Sequence, residues 1–588
     1  MIRYFYILLA SLALSVSARA AAPVIKQSDK DKAASLVAKM TLEEKIDLIG
    51  GDVKNHFYTH GFPRLGIPAI RTADGPQGVR NKTKSTLYPS GQAIAASWNR
   101  EAARMVGAGI GKDARARGVA IMLGPGVNIY RSPLNGRNFE YYGEDPYLAG
   151  ELSSEYIDAM QEQGVAATVK HFACNNSEYD RHRVGTNVDE RTLNEIYFPA
   201  FRKAVEKAHV ACVMTSYNPL NGTHAPENAW LIKENLRKWG FEGIAMTDWG
   251  SSYDPLLWAF SGIDLEMPDP IAFKPEFVIP MVRNGVIPER ELDEKCIHIL
   301  SVYSAYGFLN GVKPDTGIPE DNPENDEVSF VVSAEAPVLL KNEGNILPLK
   351  PDRKKIVVIG PNADRIAFGG GSGAVNMPDG REIPLKDGMQ RLGKGYNCVF
   401  LTEPDAKQLK EARAVIVAVG FWRKVEHEGD DRTYTLPEGQ DELIAEVLKY
   451  NKNVIVVANS GGEFDVTKWI DKVPAFMLAL YSGQRGGDAI AHLIAGKISP
   501  SGRLPYTFWG SLEKNPSTPY YGPIFKNLGP ASHPRDGLSQ CDYVEGIFLG
   551  YRGAEHFGSS CTRCICPEGP PVYLRNAVPS YLCGRHSP

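Results

Sequence analysis

Between residues 28 and 313 the chain alternates short, unbroken apolar runs with longer stretches whose apolar residues recur every three to four positions. The runs at 119–123, 165–169, 210–214 and 243–246 have strand length and are too continuous for strands with one wet face. Each is expected to be buried on both sides, with helices at 101–116, 148–162, 190–207 and 229–239 between them. Repeated strand–helix units over this length predict an N-terminal (β/α)8-type TIM barrel, a fold of roughly 250 residues. A stretch rich in Pro, Asp, Glu and Asn at 314–328 reads as a linker. A second α/β series occupies 329–557, with strand-like runs at 355–359, 414–419, 454–458 and 475–480 and helices at 438–448 and 486–495. The fold class expected is therefore α/β, a barrel followed by an α/β sandwich built on a doubly wound sheet.

Polar residues appear where the apolar runs stop: Asp74, residues 131–140, Lys170-His171, Tyr217-Asn218 and Asp248-Trp249. The C-terminal strand ends of a barrel carry its active site, because packed strands hold loops that are free to vary. One polar residue in such a place is usually a solvated loop position; a coincidence of five points to a shared pocket.

Composition narrows the classes. A chain of 588 residues, 43% hydrophobic and 23% charged with a net charge of -4, is an ordinary globular protein too long for one core. Nothing in it has the basic footprint of a nucleic-acid or membrane-surface binder. The 26 Tyr and 8 Trp suit sugar stacking, although aromatic residues are more often core. Residues 1–20 contain Arg3, an apolar stretch from Tyr4 to Val16 and then Ala18-Arg19-Ala20, the pattern of a secretory signal peptide. That stretch is shorter than the about 20 residues a membrane span needs, so a secreted or periplasmic protein is expected. Cys174, Cys212, Cys296, Cys398 and Cys541 are scattered and read as buried single thiols, whereas Cys561, Cys564, Cys566 and Cys583 crowd the last residues without a second well-spaced pair. His56 and His60 lack the Glu of a metalloprotease helix, and the Gly-rich run 369–373 lacks the Lys-Ser/Thr of a phosphate loop. No metal, cofactor or nucleic-acid partner is expected, and the Gly-rich run reads as a flexible loop near the domain interface.

Cleaving a glycoside with retention takes one carboxylate to attack the anomeric carbon and one carboxylic acid to protonate the departing oxygen, about 5 to 5.5 Å apart. Asp248 stands at the end of a buried run beside Trp249, a ring suited to stacking on sugar. Val425-Glu426-His-Glu428-Gly-Asp-Asp431-Arg432 places acids on a loop after the run 414–419, where doubly wound sheets bind ligands. Each residue also has a structural reading: Lys170-His171 as a strand-end ion pair, Arg137 as a partner of Glu140 or Glu144, Glu428 as a solvated loop acid.

The chain resembles glycoside hydrolase family 3. Met40-Thr-Leu-Glu-Glu-Lys45, Thr72-Ala-Asp74-Gly-Pro-Gln-Gly-Val-Arg80, Gly136-Arg137-Asn-Phe-Glu-Tyr-Tyr-Gly-Glu-Asp-Pro146, Val169-Lys170-His171-Phe172 and Met246-Thr-Asp248-Trp249 match its barrel motifs in order. Asn459-Ser-Gly-Gly462 and Pro500-Ser-Gly-Arg-Leu-Pro505 match its second domain, and the likeness runs from about residue 30 to 557. The resemblance implies Asp248 as nucleophile and Glu428 as general acid/base, with Glu426 as the rival acid. It also implies that Asp74, Arg80, Arg137, Lys170, His171, Arg181 and Tyr217 line a pocket for the non-reducing sugar. In that role Asp74 accepts from two hydroxyls, Lys170 and His171 donate to others, and the cations keep Asp248 ionised. Glu428 must start protonated, so its pKa is expected to rise as substrate closes the site.

Lys170-His171-Phe172 continues as Ala-Cys-Asn-Asn, which disfavours the N-acetylglucosaminidase branch, and Asp74-Gly-Pro resembles the glucosidase form. A retaining β-glucosidase is therefore expected on a small carbohydrate substrate, ahead of a β-xylosidase and of a sugar-binding relic. Two segments depart from the family pattern. Tyr481-Ser-Gly-Gln-Arg485-Gly-Gly has Arg485 in place of an acid, which is expected to disturb a local ion pair. Residues 558–588 carry four Cys, five Pro and four Ser where a further family motif and a fibronectin-like domain are expected, and read as an aberrant tail.

Overall fold

The computed structural model describes residues 21–80, 84–375, 377, 380–521 and 540–556. The signal-like segment 1–20 and the cysteine-rich tail 558–588 lie outside the described residues. In the first domain β1 (Thr72–Asp74), β2 (Ile121–Leu123), β3 (Ala166–Phe172), β5 (Cys212–Thr215) and β8 (Ile244–Met246) form one parallel sheet in that order. Every residue of these strands is buried, which is what unbroken apolar runs require. Helices Arg100–Ala116 and Pro146–Gln161 begin where the side chains of Asn99 and Asp145 accept first-turn N–H groups, and they pack against each other beside the sheet. The stretches 190–207 and 229–239 do not run as single helices. Each opens into a π-helical turn, at Leu193–Tyr197 and Ile232–Leu236, and Pro199, which has no N–H to donate, begins a separate helix, Pro199–Glu206.

Among the described residues five strands make the ladder of the α/β barrel domain, and the ring continues through single bridges. Met246 pairs with Leu265, Glu266 with Gly50, Gly51 with Thr59 and Tyr58 with Arg71, the last two antiparallel. Segment 50–71 contains Gly50, Gly51, Gly61, Pro63, Gly66 and Pro68, which weaken or forbid a continuous ladder, and it pairs only through single bridges among the described residues.

The second domain is a six-stranded sheet of β9 (Val338–Asn342), β10 (Lys355–Ile359), β11 (Asn397–Leu401), β12 (Ala414–Gly420), β13 (Val454–Asn459) and β14 (Ala475–Leu478), ordered β11-β10-β12-β13-β14-β9. All pairs are parallel except β14 with β9. The edge strands β9 and β11 escaped the periodicity because they mix polar and apolar residues and are only partly buried. A third sheet joins β15 (Gln540–Asp542), β4 (Gly185–Asn187), β6 (Pro219–Leu220) and β7 (Thr223–His224), laying a late segment of the chain on the barrel loops. The expected linker is shorter than 314–328: Asn322 caps a helix, Pro323–Glu335, and Arg115 and Arg117 tie Asp315 and Glu320 to the barrel. Among the described residues no helix is long and apolar enough to cross a membrane. Cys174, Cys212, Cys296 and Cys541 are buried free thiols, and Cys398 is half-buried.

Candidate active site

The barrel contributes its strand ends. Asp74 closes β1, Lys170 and His171 lie in the last turn of β3, and Asp248 follows β8 by two residues. Thr247 fastens that last stretch, its N–H donating to Leu265 O and its Oγ1 accepting from Met267 N at 2.9 Å. Asp248 is 6% exposed; its Oδ1 accepts the Trp249 N–H at 2.8 Å, while its Oδ2 is buried without a hydrogen-bond partner. His171 Nε2 stands 3.6 Å from that Oδ2, and Lys170 Nζ stands 3.7 Å from Asp74 Oδ1, both beyond hydrogen-bond length. Asn128 Oδ1 accepts the His171 N–H at 2.9 Å and faces Nδ1 at 3.3 Å, which fixes the orientation of the ring. Asp74 and Arg80 line a cavity of about 380 Å³ with Asn55, Phe57, Tyr58, Arg71 and Thr72. Arg80 itself is exposed and donates its N–H to Asp74 O. Trp249 is half-buried, with its ring 5.3 Å from that of Phe57.

The second domain contributes the loop after β12. Glu428 Oε1 accepts from Arg181 at 2.9 Å and faces Arg137 at 3.5 Å, and Oε2 accepts the Ser372 N–H at 2.7 Å. Arg137 is also held by both oxygens of Glu140 at 2.9 Å, the partner its structural reading named, and Arg181 lies over the Tyr217 ring at 4.0 Å. The Gly-rich run 369–373 is part of this wall. A Cβ at Gly371 would stand 2.3 Å from the Cβ of Glu428, and one at Gly369 would strike the Phe139 ring, so the loop can press this close only with glycine. Glu426, two residues from Glu428, points the other way. It is fully buried, accepts from Tyr481 Oη at 2.6 Å and Gly461 N at 3.1 Å, and lies 3.7 Å from Arg432 Nε. Arg432 in turn donates to Pro133 O at 2.8 Å, so this ion pair pins the loop between the domains.

Burial pushes the Asp248 carboxyl above its ordinary range, and Arg137, Arg181 and Lys170 pull it back toward the ionised form. Burial likewise pushes Asp74 up to about 6 despite Lys170. Burial also works to raise Glu428, but the Arg137 and Arg181 guanidiniums outweigh it and hold the carboxyl well below the usual range. The free site thus keeps Glu428 as a carboxylate, and any rise has to come with substrate. Burial, then Arg137, Lys170 and Arg181, keep His171 neutral.

All ten residues singled out in the sequence lie in or beside this one region, with Arg80 on its rim. Sequence reasoning passed over Asn128, Glu178 and Ser372, and met Glu140 only as a structural partner of Arg137. Ser372 sits in the Gly-rich run, and Glu178 lies three positions from Arg181 in a stretch without apolar periodicity, so neither carried a signal of its own. The expected disturbance at Arg485 is absent: it pairs with Asp326 at 2.6 Å and Asp488 at 2.9 Å.

Carboxylates from two α/β domains, Asp248 and Glu428, lie close enough to act on each other's charge, the kind of pairing a glycoside hydrolase uses. The chain matches the Glycosyl hydrolase family 3 N terminal domain over residues 52–302 and the Glycosyl hydrolase family 3 C-terminal domain over residues 337–551. It belongs to glycoside hydrolase family 3. Thermostable beta-glucosidase B of Acetivibrio thermocellus is 36% identical, the match covering 88% of this chain and 69% of that one. An exo-alpha-(1->6)-L-arabinopyranosidase of Bifidobacterium longum is 33% identical, over 89% of this chain and 71% of its own. The structure of beta-glucosidase 3B from Thermotoga neapolitana in complex with glucose superposes with a TM-score of 0.79 at 32% identity, covering 90% of this chain and 81% of that one.

Proposed function

We propose that the protein is a retaining β-glucosidase that removes terminal non-reducing β-D-glucosyl residues from oligosaccharides or aryl glucosides. The observation that carries this reading is the buried Asp248 Oδ2, unpartnered at a strand end and near enough to Glu428 of the other domain to feel its charge. The names of the relatives support glucose as the sugar. Asp248 attacks the anomeric carbon; the bond to the departing oxygen breaks, and that oxygen takes its proton from Glu428. Glu428, now a carboxylate, takes a proton from water, whose oxygen attacks the same carbon and releases Asp248. Asp74 accepts from sugar hydroxyls, and Lys170 and His171 donate to others. Arg137, Arg181, Tyr217, Trp249 and Arg80 complete the walls.

Incubation of the purified protein with nitrophenyl β-glucoside, β-xyloside and α-arabinopyranoside, with the product followed by NMR, tests the proposal. Fastest turnover of the glucoside with β-glucose as first product is expected; an inverted product or no turnover of the glucoside defeats it. Export through residues 1–20 is part of the reading, and a mature N-terminus beginning after Ala20 is its expected signature.

A further inference from the structure

A general acid has to hold a proton, and the Glu428 carboxyl lies against two guanidiniums. A neutral acid beside two cations is tolerable only where each cation has a carboxylate of its own. Arg137 has one, in the two-point pairing with Glu140. Arg181 has the other: its Nη1 stands 2.8 Å from Glu178 Oε2 as well as 2.9 Å from Glu428 Oε1. Glu178 is 1% exposed and therefore competes for Arg181 without solvent screening. The same Oε2 accepts the N–H of Gly429, the residue after Glu428, at 2.8 Å, and the Glu178 N–H donates to Asp431 Oδ1 at 3.0 Å. One barrel side chain thus holds both the cation on the acid and the backbone that carries it.

We propose that Glu178 is a positioning residue for the acid step, drawing the charge of Arg181 off Glu428 and clamping the Glu428 loop to the barrel so that this side chain can carry a proton. The proposal rests on Glu428 being the acid/base. The other charges facing Glu428 come from three sides. The barrel presents Asp248, Asp74 and Lys170, with His171 neutral; the Gly-rich loop presents the N–H and the hydroxyl of Ser372; and the acid's own loop carries His427 and Asp430, paired at 3.6 Å, and Asp431. None of these contacts Arg181 through a carboxylate as Glu178 does.

The test compares phenyl β-glucoside, whose leaving group needs a proton, with dinitrophenyl β-glucoside, whose leaving group does not. Glu178→Gln is expected to lower kcat/KM on the phenyl substrate by ~10²-fold, and on the dinitrophenyl substrate by less than about threefold, the pattern of lost acid catalysis. The alkaline limb of the phenyl profile should move to lower pH by about one unit, because Arg181 then acts on Glu428 alone. Glu178→Asp, which keeps the charge, should recover part of both. Equal losses on the two substrates with an unmoved alkaline limb overturn the proposal and leave Glu178 a purely structural residue. Should Glu178→Gln not fold, Glu178→Asp is read by the same two substrates, and equal losses on both overturn it equally. Glu428→Gln separates the two layers. If it shows no preference for the dinitrophenyl substrate, the acid/base reading itself falls; if it shows that preference and Glu178→Gln does not, only the present proposal falls.

Discussion

Asp248 is carried by a strand end whose fastenings are neutral hydrogen bonds, from Thr247 to the segment at Leu265 and Met267. Glu428 sits on a loop fastened by ions: its own carboxylate on Arg137 and Arg181, Glu426 on Arg432, and the Gly429 N–H on Glu178. The strand end delivers position and leaves charge to burial, which raises Asp248; the loop delivers both through ion pairs, which lower Glu428. Burial therefore works against the ionised Asp248 that the first step uses, and the two guanidiniums work against a protonated Glu428. Substrate has to oppose both. Positive charge developing at the anomeric carbon favours ionised Asp248, and expulsion of water with competition for the arginines favours protonated Glu428.

Replacing the strand-end carboxylate should have the largest effect. Asp248→Asn is expected to lower kcat on every glucoside on the order of 10⁵-fold, the scale for a lost nucleophile, while calorimetry still detects glucose binding. Residual turnover above a hundredth of the wild-type rate removes Asp248 from its side of the comparison. Glu428→Gln should cost ~10²- to 10³-fold on phenyl β-glucoside and little on the dinitrophenyl compound. The loop's second acid sharpens the contrast through stability rather than rate. Glu426→Gln leaves buried Arg432 without its counter-charge and should lower stability by about 3 kcal/mol in urea denaturation, with the leaving-group pattern of the wild type. A selective loss on the phenyl substrate would instead make Glu426 the acid. The smallest effect belongs to Asp74. Its carboxyl, ordinarily ionised above pH 3.8, is pushed up to about 6, so the acceptor form is present above that value and lost as pH falls through it. KM should rise by about tenfold per pH unit below 6, and Asp74→Asn should give a KM that no longer follows pH there.

The sequence alone was enough for the two α/β series and for most of the strands between them, because strands buried on both faces are largely apolar, as in 414–419. It also placed Asp248, Lys170-His171 and Asp74 at strand ends, since a polar residue directly after such a run has one place to go. Only the tertiary structure decided the rest. How the barrel closes depends on single bridges between distant segments such as Glu266 and Gly50, which no local period encodes. Which of two neighbouring acids faces the pocket depends on where Tyr481 and Arg181 arrive from elsewhere in the chain. The protonation of Asp248 and Glu428 depends on burial and on distances to charges more than 60 positions away, and both are properties of the folded molecule alone.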